Sequence, residues 1–556
     1  MVSVRRFMCC TVLISLLALK ITSTAAKDFI ITIAGGYDPS GNQASLEANV
    51  LFFQQIIRDQ HQGEQTHQIY FADGFDAAAD VQEQQDGEVK ASPAKEFIAS
   101  LHRARLDTIE YRNHRVPDIS GALEPKLVRA EFERIAGEAG SGDRLLVYVT
   151  AHGSEGKGDD RFNTTINCWD NESVSMREFS RWLDQISSDV PVILVMAQCY
   201  CGGFSHTIFT DGDPEKGLSK QLRVGFFAQQ HDLAAAGCRP DIKNDEEFSS
   251  YFWGALVAAS RTGSPMRGCD ANSDGTVSFS EAYAQAVVAS ETIDIPLRAS
   301  DALLRTHSRI PDYSFFPNKP RRERRPPDRE RPAAEQTTPS PDSESGSVTA
   351  SPDRTSAVSD GDTATPIPVL HPMAGSLESF IANENAPTRR IVEELSRQLG
   401  CAMQDDVVSV LDAYREQLRS GLAIGRGVGR RNSSGRRELL EQVGKKWPEL
   451  AEPDKWNNAA ILKDDDQTAL MEAFRGLEGF DTYQQRRIDR EEQAKQSEQR
   501  ELKSVKFRRL IDTLEVIVLA RNLPLVATPE IATRYLEMLR LEQTTLSPAA
   551  VKNSNF

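Results

Sequence analysis

Over residues 27–310 the chain alternates short apolar runs with segments whose apolar positions recur every three or four residues. The runs Asp28–Ala34, Gln68–Ala72, Arg144–Ala151, Pro191–Gln198 and Arg223–Ala228 predict strands. In two of them the apolar residues are continuous, from Leu145 to Val149 and from Val192 to Met196. Such strands need cover on both faces, as in the centre of an α/β sheet. Ser45–Ile57 and Pro125–Ala136 carry a helical period. Ser175-Met-Arg-Glu178 is a capping box that opens a helix to about Ile186. Strand–helix–strand repetition predicts an α/β fold: an open, mostly parallel sheet with helices on both faces. Reactive residues in such sheets gather at the carboxyl ends of the strands.

The pattern changes at both ends. Arg5 and Arg6 precede an apolar stretch from Phe7 to Leu19, and Thr24-Ala25-Ala26 supplies small residues. This predicts a secretory signal over 1–26, cleaved rather than kept as an anchor, because a bilayer needs about 20 apolar residues. The expected location is secreted, periplasmic or otherwise extracytoplasmic, with no integral membrane segment after signal removal. Twelve of the 27 prolines fall between Pro311 and Pro372, among Ser, Thr, Asp and Arg. That composition predicts a solvated, disordered linker over 311–375. From 376 to 556 the period is helical. Gln484–Lys503 is dense in charge and predicts an exposed helix, whereas Phe507, Leu510, Leu514, Ile517 and Val518 form one apolar stripe. This region carries no chemical motif and is expected to pack as a helical bundle or bind a protein partner.

Charge and cysteine content narrow the function. Lys plus Arg is 65 against 81 Asp plus Glu, a net charge of −16, which argues against a general nucleic-acid binder. Eight Cys in 556 residues are too sparse for a disulfide scaffold. Two continuous strands end in reactive residues: Thr150-Ala151-His152-Gly153-Ser154 and Ala197-Gln198-Cys199-Tyr200-Cys201-Gly202-Gly203. If the strands are neighbours, His152 and Cys199 face one crevice. An imidazole activates a thiol as a nucleophile, and glycines nearby leave backbone N–H groups for an oxyanion. Each residue alone reads more readily as a turn or a small core side chain. Together, 47 residues apart at equivalent strand ends, they point to acyl transfer.

These two segments resemble the caspase–legumain superfamily of cysteine peptidases, over roughly residues 28–307. The resemblance implies a caspase-like sheet in a catalytic domain spanning 27–310. It implies Cys199 as nucleophile, His152 as base, and the backbone N–H groups of Gly153 and Cys199 as oxyanion hole. Protein or peptide would be the substrate, and no organic cofactor is expected. Ala234-Ala-Ala-Gly-Cys238-Arg-Pro-Asp241 is similar to the pocket-lining stretch of legumains, which makes Asp241 a candidate for the substrate pocket. Cys201 stands where relatives often have Ser. Tyr37–Gln43 holds no Arg or Lys, so the relatives' substrate preference does not transfer. A transamidase or ligase would use the same dyad, and an inactive calcium-binding interaction protein is the alternative of another class.

A second motif is independent of the first. Residues 270–281 match the twelve-residue EF-hand loop. Asp270, Asn272 and Asp274 supply side-chain oxygens, Thr276 a carbonyl, Ser278 a water-bridged place and Glu281 a bidentate carboxylate, with Gly275 at the turn. Ca²⁺ is therefore the expected metal, structural or activating. An Asp/Asn-rich turn capping the next helix would account for part of this composition. His206 reads as a cap or a solvent-facing residue, and His231 as an edge of the pocket. Asp159 and Asp160 read as solvated, and Asn163 and Asn171 begin glycosylation sequons.

Overall fold

The computed structural model describes residues 26–84, 92–104, 106, 109–238, 240–241, 243, 247–311, 368–424, 434–462 and 468–547. The expected signal, apart from its last residue, and most of the Pro-rich stretch lie outside them. The strands are β1 (Lys27–Gly35), β2 (Glu64–Phe71), β3 (Val81–Gln84), β4 (Ile109–Arg112), β5 (Arg144–Ser154), β6 (Thr165–Asn167), β7 (Ser173–Ser175), β8 (Val192–Met196), β9 (Arg223–Phe227) and β10 (Leu297–Arg298). The five predicted strands become the parallel run β2-β1-β5-β8-β9, and β10 closes one edge antiparallel to β9. As their unbroken apolar runs require, β8 and the stretch from Leu145 to Val149 are buried on both faces. The short polar strands β6 and β7 extend from the end of β5, and β3 pairs with β4 separately.

Helices α1 (Ala44–Gln60), α2 (Pro93–His102), α3 (Pro125–Glu138), α4 (Met176–Leu183), α5 (Phe248–Ala255), α6 (Phe279–Ala289) and α7 (Ala299–His307) accompany the sheet. The capping box opens α4 as predicted, with Ser175 and Glu178 bonded reciprocally. The later helices are α8 (Leu377–Ile381), α9 (Ala386–Leu399), α10 (Val407–Ile424), α11 (Ser434–Lys446), α12 (Pro448–Ala451), α13 (Thr468–Arg475), α14 (Phe480–Val526) and α15 (Pro529–Glu542). Among the described residues no helix is long and apolar enough to cross a membrane.

The apolar stripe of α14 is buried in the same core as the sheet, through Phe507, Leu510, Leu514 and Ile517. Its charged first half is exposed, as predicted. At its start, Phe480 and Tyr483 join a second core in which α11, α12 and α13 pack on Phe97 and Ile98 of α2. Thr544–Ser547 returns to the amino-terminal end of the sheet. There Arg144 donates to the Thr545 and Leu546 carbonyls, and Ser278 bridges to Thr545.

Candidate active site

β5 and β8 are neighbours whose last rung is Val149 opposite Met196. Ala197 N–H extends the ladder onto the Val149 carbonyl at 2.9 Å. His152 and Cys199 each follow three residues later, so both stand at the same carboxyl edge of the sheet. Their loops touch closely. A Cβ on Gly153 would lie 2.2 Å from the Cys199 carbonyl oxygen, so only glycine permits this approach. Tyr200, directly after the thiol, is left-handed at φ 60°, a conformation held at a cost of about 1 kcal/mol or more. The Cys199 N–H lies against its own sulfur and meets no backbone carbonyl among the described residues.

The imidazole is fixed from the other side. β1 lies beside β5, so the β1–α1 loop reaches His152. His152 Nε2 is 2.8 Å from the Gly41 carbonyl oxygen and 2.9 Å from Gln43 Oε1. Both partners are acceptors, so the proton sits on Nε2 and Nδ1 carries the free lone pair. The Tyr37 ring packs edge-on at 5.1 Å. Burial lowers the His152 pKa below its usual value, against opposing contributions from Gly41 and Asp38. Burial also raises the Cys199 thiol, and the Asp294 charge adds to this. A neutral thiol and a neutral imidazole are the resting forms these directions favour.

A loop from β9 closes over the sulfur. Ala235 N–H donates to Cys199 Sγ at 3.3 Å, and the thiol faces the Ala235 carbonyl at 3.8 Å. The next amide, Ala236 N–H, donates to Asp294 Oδ1 at 2.7 Å. Asp294 is 1% exposed, its Oδ2 has no partner, and burial pushes its pKa up to about 6. Its loop is held from below by Arg509 of α14, itself buried. That guanidinium donates to the carbonyls of Val287, Ser290, Thr292 and Asp294. Because the ionised Asp294 raises the thiol pKa, Asp294→Asn should speed alkylation of Cys199 by iodoacetamide. At pH 8 the expected gain is about three- to tenfold, fading below pH 6 where wild-type Asp294 is protonated. Equal rates across that range would refute the coupling.

The remaining candidates fall elsewhere. Asp241 accepts the Lys243 N–H at 2.9 Å, beside Pro240, whose carbonyl takes Gln84 N–H. Cys201 is buried, with Gln229 N–H donating to its sulfur at 3.3 Å. His206 is half-buried and makes no ring cap: it stacks on Phe162 at 3.9 Å, with His231 on the other face at 4.1 Å. Burial lowers both imidazoles, His206 to about 4.

In the loop 270–281, Asp270 accepts from the N–H groups of Asp274 and Gly275, and Asn272 Oδ1 from Asp274 N–H. Thr276 donates to Asp274 through both N–H and Oγ1. Glu281 is buried: Oε1 accepts from Ala271 and Asn272, and Oε2 forms the capping box with Ser278 that opens α6. Gly275 is left-handed at φ 89°, as the turn needs. Residues 256–269 supply no entering helix, so the loop has only its exit helix. Its donors are all hard oxygens, which fits Ca²⁺ chemically. Among the described residues, no group of three or more His, Cys, Asp or Glu is arranged around one point.

Sequence reasoning passed over Gly41, Gln43 and Asp294. The first two lie in the strand-to-helix loop at the reactive edge, where position alone flags them. Asp294, in Thr292-Ile-Asp-Ile-Pro296, carries no motif that could have found it.

No family model and no curated protein matches the chain. Among solved structures, a protein from Geobacter sulfurreducens aligns with 49% of this chain and 92% of its own length, at 12% identity and a TM-score of 0.27. A likeness that loose carries no argument about function.

Proposed function

We propose that the protein is a cysteine-type endopeptidase of the caspase–legumain kind, acting outside the cytoplasm. The observation that carries this reading is the dyad. His152 and Cys199 stand at equivalent ends of adjacent parallel strands, with Nε2 of the imidazole already committed to Gly41 and Gln43. Cys199 Sγ attacks the peptide carbonyl carbon as its proton passes to His152 Nδ1. The N–H groups of Cys199 and Gly153 receive the oxyanion. Collapse breaks the C–N bond, and His152 returns the proton to the departing amine. Water, activated by the same imidazole, then frees the acyl group.

The test is covalent labelling of the mature protein by a peptidyl acyloxymethyl ketone library, read by intact mass. One adduct on Cys199 supports the reading, and its preferred peptide identifies the sequence before the cut. No adduct under reducing, calcium-replete conditions overturns it in favour of a calcium-binding interaction protein.

The loop of Asp270, Asn272, Asp274, Thr276, Ser278 and Glu281 is proposed to hold one Ca²⁺. The ion would tie this loop to the start of α6 and leave the chemistry to the dyad. Saturating Ca²⁺ at 100 times its Kd should add about 2.7 kcal/mol of stability. EDTA should reverse the gain, and Asp270→Ala should abolish it. An unfolding transition indifferent to Ca²⁺ would remove the metal from the account.

A further inference from the structure

A cavity of about 450 Å³ lies along β6, the strand that pairs with the end of β5 at His152. Its lining is polar throughout: Tyr37, Ser154, Thr165 and Asn167, with the charged Glu155, Lys157 and Glu172. Its position is set by the ladder: Asn167 in β6 stands opposite His152 in β5, and Tyr37 is the residue packed on the imidazole edge.

The polar groups are arranged in a definite way. Ser154 Oγ donates to Asn167 Oδ1 at 3.1 Å, and Thr165 Oγ1 donates to the same oxygen at 2.9 Å. Both hydroxyl hydrogens are therefore spent, and the two hydroxyl oxygens keep lone pairs for a ligand. The Asn167 carbonyl is also spent, whereas its Nδ2 hydrogens have no protein acceptor among the described residues. This cluster, within a lining that also carries Glu155, Lys157 and Glu172, offers donors and acceptors side by side. That is the complement of an amide or a hydroxyl. An apolar group placed there would strand these groups without partners.

The chemistry decides which part of a substrate arrives. His152 must protonate the amine that leaves, so the chain beyond the cut departs on the His152 side. We propose that this cavity is the subsite for the first residues after the cut, and that it selects polar side chains such as Asn or Ser over apolar ones. The inference rests on the peptidase reading and goes further by stating the substrate class on the leaving side.

The experiment uses internally quenched peptides sharing the best sequence before the cut. They differ only after it, carrying Asn-Ser or Leu-Phe at the first two positions. Wild type should favour the polar peptide by about tenfold in kcat/KM. Asn167→Ala should bring that ratio close to one, and Thr165→Val, which keeps the shape, should lower it in the same direction. Because the readout is a ratio within one preparation, partial loss of folded protein does not imitate the effect. A wild-type ratio near one, or a ratio unmoved in both variants, overturns the subsite. A peptidyl aminomethylcoumarin, with no peptide after the cut, separates the two levels. If wild type hydrolyses it while the peptide ratio is one, the subsite fails and the peptidase stands. If neither substrate class is hydrolysed, both fail.

Discussion

Under the proposed mechanism, alanine at Cys199 should leave no covalent adduct and no turnover of any peptide, and alanine at His152 should lower kcat/KM by about 10³- to 10⁴-fold. The magnitudes follow from the resting state. Burial raises the Cys199 thiol and lowers the His152 imidazole, so no preformed thiolate survives the loss of the base. In the proposed dyad the two residues act as a unit, so the double variant should be no worse than Cys199→Ala alone. Cys201→Ser should keep labelling within about twofold, because that sulfur is buried against Gln229 and away from the crevice. Gln43→Leu should cost less than His152→Ala, since the Gly41 carbonyl still holds Nε2. Adducts that persist in Cys199→Ala would move the nucleophile elsewhere.

The largest expected effect on stability belongs to Arg509. Its guanidinium is 2% exposed and binds four main-chain carbonyls between Val287 and Asp294. Burial lowers its pKa to about 10. Arg509→Met fills much of the volume but orphans four buried acceptors, at about 3–5 kcal/mol in total. The expected result is a fall of about 10 °C in Tm. Arg509→Lys should fall between, because an ammonium has three donors and no planar fork. The same carbonyls frame the loop that ends at Asp294, behind Cys199. Arg509→Met should therefore also slow labelling of Cys199 in protein that remains folded. An unchanged urea midpoint would show that water replaces the guanidinium without cost.

The parallel centre of the fold is legible because its signal is strong. β1, β2, β5, β8 and β9 are apolar runs with no competing period, and a strand covered on both faces leaves that mark in the sequence. β6 and β7 are three residues each, built of Ser, Thr, Asn, Ile and Val, and exist because β5 runs on past the sheet edge and offers them a partner. No local pattern encodes such a dependence. The site divides in the same way. His152 and Cys199 are visible because each ends an apolar run. Gly41 acts through a main-chain carbonyl, which any residue possesses. Asp294 is brought near the sulfur by its bond from Ala236 N–H, a contact between segments 58 residues apart. The cavity beside His152 depends on β6 and was invisible for the same reason.

The first and last described segments meet. Arg144, at the start of β5, is bonded both to Asp28, among the first described residues, and to Thr545 and Leu546, among the last. With Phe507–Leu523 sunk in the same core as the sheet, the long Pro-rich stretch between residues 311 and 368 bridges two halves that are already fastened together. A nick there would leave one particle rather than two. Maturation by proteolysis, if the protein undergoes it, would be visible on a denaturing gel and silent on a sizing column. Residues 27–310 expressed alone would carry a bare apolar face where α14 and α15 now lie, and their insolubility would say nothing about the catalytic reading.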